Sequence, residues 1–273
     1  MERWNNGKLG DWKIGQYKKY MHKIAIIGGT GFENPDILQN QSEVIIETPY
    51  GKTDAPIKTG MIGDTAVCLI SRHGLTHEIT PTKVNNRANI WAIRALGCTH
   101  IIATTACGSL RKEIAPGDLV FPDQFIDFTR FRSNTFFDRF ENGQLHHVPM
   151  GEPFDVPLRK MLIQTAQGLN LSYHGKGTVI TIEGPRFSTR AESRMFRNWG
   201  ADVINMSTAP ECILANELGI PYAAVAVSTD YDSWMEEEHP VTWEAVLEVF
   251  HRNIHHVIRL ITTAVSTPGS TGK

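Results

Sequence analysis

Apolar residues fall along this chain in two periods, and their alternation predicts the architecture. Compact β-branched or small apolar runs read as buried strands: Lys23 to Ile27, Val44-Ile45-Ile46-Glu47, Ala66 to Ile70, His100 to Ser109, residues 118–128, Thr178 to Ile182, Val203-Ile204 and Pro221 to Val227. Between them apolar residues recur every three to four positions. That spacing predicts helices from Thr82 to Leu96 with Gly97 as the stop, from Pro157 to Leu169, from about Thr189 to Trp199, from near Pro210, and from about Thr242 to Val265. No internal repeat or linker interrupts the series. The expected fold class is therefore α/β: a single domain over residues 21–268, with a mixed twisted β-sheet flanked by helices.

Three stretches stand apart. Residues 1–20, polar and aromatic, read as an N-terminal arm that is poorly ordered or packs on a neighbouring subunit, with Met21 as the alternative natural start. Residues 269–273 read as a tail. Residues 129–152, carrying Arg130, Arg132, Asn134, Asn142, Gly143, His146 and His147, form a polar excursion of the length used for lids and subunit contacts.

Composition narrows the class. A formal net charge of −2, with 21% charged residues of both signs interspersed, argues against a nucleic-acid or polybasic membrane partner. No apolar run reaches the roughly 18 residues of a membrane helix and no signal peptide is visible, so the expected compartment is the cytoplasm. Cys68, Cys98, Cys107 and Cys212 are widely spaced, without C-x-x-C or ligand companions, and read as reduced buried thiols rather than a metal site.

The candidate chemistry lies where strands end, since ligands of open α/β sheets sit beyond the carboxyl ends of the strands. Gly28-Gly29-Thr30-Gly31 follows the first strand and reads either as a plain tight turn or as a site for one inorganic phosphate. It lacks G-x-G-x-x-G, and Glu33 opposes a diphosphate, which counts against a nicotinamide-binding oxidoreductase. Arg72-His73, Thr104-Thr105-Ala106 and Met206-Ser207-Thr208 bring a guanidinium, an imidazole and hydroxyls to the same edge, a set suited to an anion. Pro221 to Asp232 ends in two carboxylates, Asp230 and Asp232, expected to share one side of an extended backbone. Phe187, after Gly184-Pro185-Arg186, is either core or a stacking surface for a planar ring. His146-His147 is a substrate contact or a surface pair.

The ordered set Gly28 to Gly31, Ser71-Arg72-His73-Gly74, Thr104 to Ser109, Glu183 to Phe187, and Asn205 to Thr208 through Asp230-Tyr231-Asp232 resembles the 5'-methylthioadenosine phosphorylases, within the trimeric purine nucleoside phosphorylase family. The resemblance covers about Lys23 to Val265 and implies a nucleoside phosphorylase-like fold. It also implies phosphorolysis of 5'-methylthioadenosine, with no cofactor, phosphate as co-substrate, and a homotrimer or dimer of trimers. Carried over by motif, phosphate contacts fall on Thr30, Arg72, His73, Thr105, Ala106 and Ser207, and the ribose contact on Met206. Purine contacts fall on Phe187, Ser188, Asp230 and Asp232, with Asp230 as the catalytic acid, and the 5' pocket on His147, Trp243 and Val246. Ser207 stands where the family usually has threonine, and Trp243 where a smaller aliphatic lines the 5' pocket. The chain also stops soon after its last helix, without the segment that in some relatives closes a neighbour's pocket. A broader purine nucleoside phosphorylase is the alternative within this class.

Overall fold

The computed structural model describes residues 23–29, 36–140, 143, 145–235 and 242–266. The N-terminal arm, the tail and Thr30 in the glycine-rich turn lie outside these residues. Thirteen strands are described: β1 (Lys23–Gly28), β2 (Gln39–Val44), β3 (Glu47–Thr48), β4 (Gly51–Lys52), β5 (Ile57–Ile62), β6 (Thr65–Ser71), β7 (His100–Ser109), β8 (Leu119–Val120), β9 (Gln124–Phe128), β10 (Tyr173–His174), β11 (Thr178–Ile182), β12 (Val203–Asn205) and β13 (Tyr222–Asp230). Five helices accompany them: α1 (Asn86–Ala95), α2 (Val156–Gly168), α3 (Arg190–Asn198), α4 (Thr208–Glu217) and α5 (Trp243–Ser266).

One mixed sheet runs β10-β8-β13-β7-β1-β6-β5-β2, and β9, β11 and β12 form a side branch from the end of β7. Its centre is parallel: β1 pairs with β6 and β7, and β7 with β13. Alternate residues of β1 divide the core in two. Ile24 and Ile26 pack towards α2 and α5, with Leu158, Leu162, Phe250, Val257 and Leu260. Ala25 and Ile27 face the layer that holds Ile90 and Ile93 of α1 and Leu214 of α4. Strands buried on both faces read as continuous apolar runs, which is why this part of the sheet was legible.

Local chemistry sets the helix ends. Asn85 caps α1 by accepting from the Ala88 N–H (3.1 Å) while its amide donates to the Tyr50 carbonyl (2.8 Å). Thr189 and Glu192 form a capping box on α3. Gly97 closes α1 at φ +74°, a left-handed conformation that glycine adopts without steric penalty.

Four boundaries differ from the sequence reading. The helix expected from Thr82 is a 3-10 turn at Pro81–Lys83 followed by α1, because Asn85 claims the cap. The strand expected at Val44–Glu47 lies earlier, as β2, and Ile45, apolar in pattern, is 69% exposed. The 118–128 run splits into β8 and β9, which pair with different partners. β5, with no run of its own in the pattern, is an antiparallel strand between β2 and β6.

Candidate active site

The sheet opens where β7 outruns β1. The two pair only as far as Ile27↔Ala103, whereas β7 continues to Ser109 and meets β12 at Gly108 and Ser109. Between these junctions Thr105 to Gly108 border a cavity of about 720 Å³ that is continuous with solvent.

One side of the cavity gathers basic side chains and hydroxyls. Arg72, at the end of β6, is 2% exposed. Its Nε pairs with Glu211 Oε1, its Nη2 donates to Glu211 Oε2 (3.1 Å), and its Nη1 to the Thr104 carbonyl (2.9 Å). Glu211 lies in the first turn of α4, where the helix dipole favours a negative charge, and its Oε2 also accepts from the Tyr222 hydroxyl (2.9 Å). Gly29 is required beside this pair: a Cβ there would collide with Arg72 Nη1 and lie 2.7 Å from the Thr104 carbonyl oxygen. His73 Nδ1 lies 2.8 Å from the Ile79 carbonyl, so Nδ1 carries the proton in that contact. Its ring stacks on His77 (4.5 Å), which tilts against Trp243 (5.0 Å).

Asn205 organises the hydroxyls beside them. Its amide donates to Thr105 Oγ1 (3.2 Å) and Thr208 Oγ1 (2.5 Å), and its carbonyl accepts from Thr181 Oγ1 (2.9 Å). Thr105 and Ser207 hydroxyls meet at 3.2 Å. Ser207 stands immediately before α4, so the amide end of that helix adds partial positive charge at the cavity.

The opposite side carries the two carboxylates, by a different route from the one the sequence suggested. Strand alternation does not reach Asp232: β13 is irregular between Ser228 and Asp230, ends at Asp230, and Asp232 begins a 3-10 turn at φ +44°. The turn folds Asp232 back so that its N–H donates to Asp230 Oδ1 (2.7 Å). Thr229 Oγ1 donates to Asp230 Oδ2 (2.8 Å), and Ser188 Oγ donates to the Asp232 carboxylate (2.8 and 2.6 Å). Burial raises the Asp230 pKa to about 6; the Asp232 charge adds to this, and the Thr229 hydroxyl and Asp232 N–H oppose it. Burial also raises the pKa of Asp232, against its bonds from Ser188. Gly108 passes beneath both, since a Cβ there would sit 3.0 Å from Asp230 Oδ1 and 3.2 Å from Asp232 Cβ.

Twelve of the fourteen residues singled out in the sequence line this one cavity: Arg72, His73, Thr105, Ala106, Phe187, Ser188, Met206, Ser207, Asp230, Asp232, Trp243 and Val246. Of the other two, Thr30 is outside the described residues. His147 does not reach the cavity; it is exposed on the 129–152 segment, edge-on to Phe140 at 5.4 Å, because that segment runs over the surface here. Cys107 lines the wall as a buried thiol whose pKa is pushed well up, first by burial and then by Asp230, so it is no nucleophile near neutral pH.

Sequence reasoning missed His77, Asn205, Thr229 and Glu211. Only Glu211 left a signal, a carboxylate set among the apolar residues Ala209, Pro210, Cys212, Ile213 and Leu214, which requires a buried partner.

Arg72, His73 and the Thr105 and Ser207 hydroxyls thus face the two carboxylates across one cavity of a mixed α/β sheet. The chain belongs to the phosphorylase superfamily, which its residues 23–266 match. The relatives are more particular. It is 51% identical over 246 residues to the S-methyl-5'-thioadenosine phosphorylase of Xenopus tropicalis, covering 89% of this chain and 88% of the relative. With the enzyme of the same name from Danio rerio it shares 50% over 245 residues, covering 89% and 88%. The methylthioadenosine phosphorylase of Schistosoma mansoni, solved with adenine, superposes with a TM-score of 0.87 at 40% identity, covering 92% of this chain and 93% of that one. A variant of the Schistosoma enzyme solved with methylthioadenosine gives 0.86 at 40% identity, covering 92% of each.

Proposed function

We propose that the chain is a pentosyltransferase that cleaves S-methyl-5'-thioadenosine with inorganic phosphate, giving adenine and 5-methylthio-α-D-ribose 1-phosphate. The observation that carries this reading is the cavity itself, with Arg72, His73, Thr105 and Ser207 on one side and Asp230 and Asp232 on the other. The relatives' names point to the same reaction.

In this assignment phosphate occupies the donor cup, held by the Arg72 guanidinium, the Thr105 and Ser207 hydroxyls, His73 and the Ala106 backbone. The nucleoside lies across Met206, its base between Phe187 and the carboxylates. As the C1'–N9 bond breaks, its electron pair moves onto the purine and the sugar becomes cationic; a phosphate oxygen then bonds to C1'. Asp230 delivers a proton to N7, a role that suits a carboxyl whose pKa is raised to about 6. Asp232, fixed by Ser188, accepts from the 6-amino group of adenine. Trp243 and Val246, with His77 behind Trp243, face the 5' substituent.

Phosphate acts as co-substrate, and no cofactor or metal takes part in this scheme. Association into a homotrimer, or a dimer of trimers, would cover the apolar side chains that the 129–152 segment exposes, Phe131 (77%), Phe140 (43%) and Leu145 (67%). A cytoplasmic location accords with the soluble substrates; no described helix is long and apolar enough to cross a membrane. The test of the reaction is adenine release from S-methyl-5'-thioadenosine with and without phosphate. Release that does not depend on phosphate, or none, rejects the assignment.

A further inference from the structure

Arg132 lies at the start of the 129–152 segment, and its side chain is 2% exposed although Phe131 beside it is 77% exposed. The guanidinium turns inward and bridges two strand ends. Nε donates to Glu183 Oε1 (2.9 Å), Nη2 to the Glu183 main-chain carbonyl (2.5 Å), and Nη1 to the Met206 carbonyl (3.1 Å). Glu183 is saturated in turn. Its Oε2 accepts the N–H groups of Arg130 (2.6 Å) and Phe131 (3.1 Å), and Thr82 Oγ1 donates to its Oε1 (2.7 Å). Burial alone would raise the Glu183 pKa, but these bonds outweigh it and hold the carboxyl down to about 2.

The object of this network is Met206. The β11–β12 ladder ends at Thr181↔Asn205, so Met206 is the first residue beyond it, on the cavity wall. Arg132 holds its carbonyl from one side. Gly184 confines its side chain from the other: at φ +65° a Cβ would collide with Met206 Sδ and lie 3.2 Å from Cγ.

We propose that Arg132 and Glu183 are positioning residues for the sugar end of the site. They touch no substrate; they set the Met206 main chain, so the root of the long surface segment governs nucleoside affinity. The inference rests on the phosphorylase reading above, in which Met206 meets the ribose. Only a planar guanidinium fork reaches all three acceptor oxygens at once, since a lysine ammonium gathers its donors on one nitrogen.

Steady-state kinetics of R132A, R132K and T82V, with nucleoside and phosphate varied separately, test this. The KM for S-methyl-5'-thioadenosine is expected to rise about tenfold or more in R132A and R132K, with the phosphate KM within about twofold of wild type. Guanidinium ion added to R132A is expected to bring the nucleoside KM back towards wild type, which a general loss of structure would not allow. T82V, which removes one neutral donor to Glu183, is expected to shift the same constant about two- to threefold. If R132A does not fold, R132K and T82V decide. An equal rise in both KM values, or an unchanged nucleoside KM in folded R132K and T82V, overturns the proposal. A wild-type chain that releases no adenine in phosphate overturns the functional reading itself.

Discussion

Arg72 and Glu211 form a two-pronged ion pair in which both side chains are 2% exposed, and the pair joins the end of β6 to the first turn of α4. Removing one partner of such a pair leaves the other charge buried and uncompensated. Glu211→Ala is expected to cost about 3–5 kcal/mol of stability. In whatever folded fraction remains, the phosphate KM should rise about tenfold, because the fork is no longer held in register with Thr105 and Ser207. Tyr222→Phe removes only one donor to Glu211 and should cost about 1.5 kcal/mol. Urea unfolding and phosphate saturation curves check both; an unchanged phosphate KM in Glu211→Ala would show that Arg72 does not bind the anion.

Asp230 carries a pKa raised to about 6, so its proton is lost as pH rises through that value. Activity that depends on this proton should fall on the alkaline side, with a limb displaced further upward at saturating phosphate by the negative charge of the bound anion. Asp230→Asn is expected to flatten that limb and lower kcat by about 10²- to 10⁴-fold. The stability consequence has the opposite sense to a salt-bridged carboxylate. The folded state holds a proton that the unfolded chain releases above 3.8, so this contribution is full below 3.8 and is lost as pH rises through about 6. Asp230→Asn should therefore melt no lower than wild type at pH 7, and a large fall in Tm would contradict the assigned cost of burial.

Asp232 is fixed by Ser188 and by its own turn, so its position does not depend on substrate. A carboxylate there accepts from a 6-amino group and repels a 6-oxo group. Asp232→Asn, able to donate as well, is expected to narrow the preference for adenosine over inosine by about tenfold or more. Relative kcat/KM for the two nucleosides measures it; an unchanged ratio would remove Asp232 from base selection.

Trp243 begins α5 and leans on His77 at the mouth of the cavity. Trp243→Val should open the space facing the 5' substituent. The kcat/KM for a longer 5'-alkylthio chain, relative to methylthio, is expected to rise about tenfold, the usual worth of a methylene or two in an apolar pocket. No change in that ratio would place the 5' group elsewhere.

Much of the site was legible before any coordinates because strand ends punctuate the sequence. Arg72-His73, Thr105-Ala106 and Met206-Ser207 each follow an apolar run, and all come to one cavity. His147 did not, because a histidine within a long polar segment carries no period that says where the chain will lay it. Asp230 and Asp232 were rightly paired but for the wrong reason: alternation predicted a shared strand face, while a turn at Asp232 with φ +44° does the work.

What the sequence by itself determined is the class of fold, the buried strands of the core and the residue types at the cavity. Apolar periodicity records burial, and small or polar residues after a buried run record where backbone and side chains face a ligand. What only the tertiary structure decided is the set of supports at long separation: Glu211 under Arg72, Asn205 between Thr105 and Thr208, and Arg132 across Glu183 and Met206. Each joins elements far apart in the chain through one or two directional bonds. Such bonds leave no periodic trace, because their geometry exists only once the strands that carry them have been brought together.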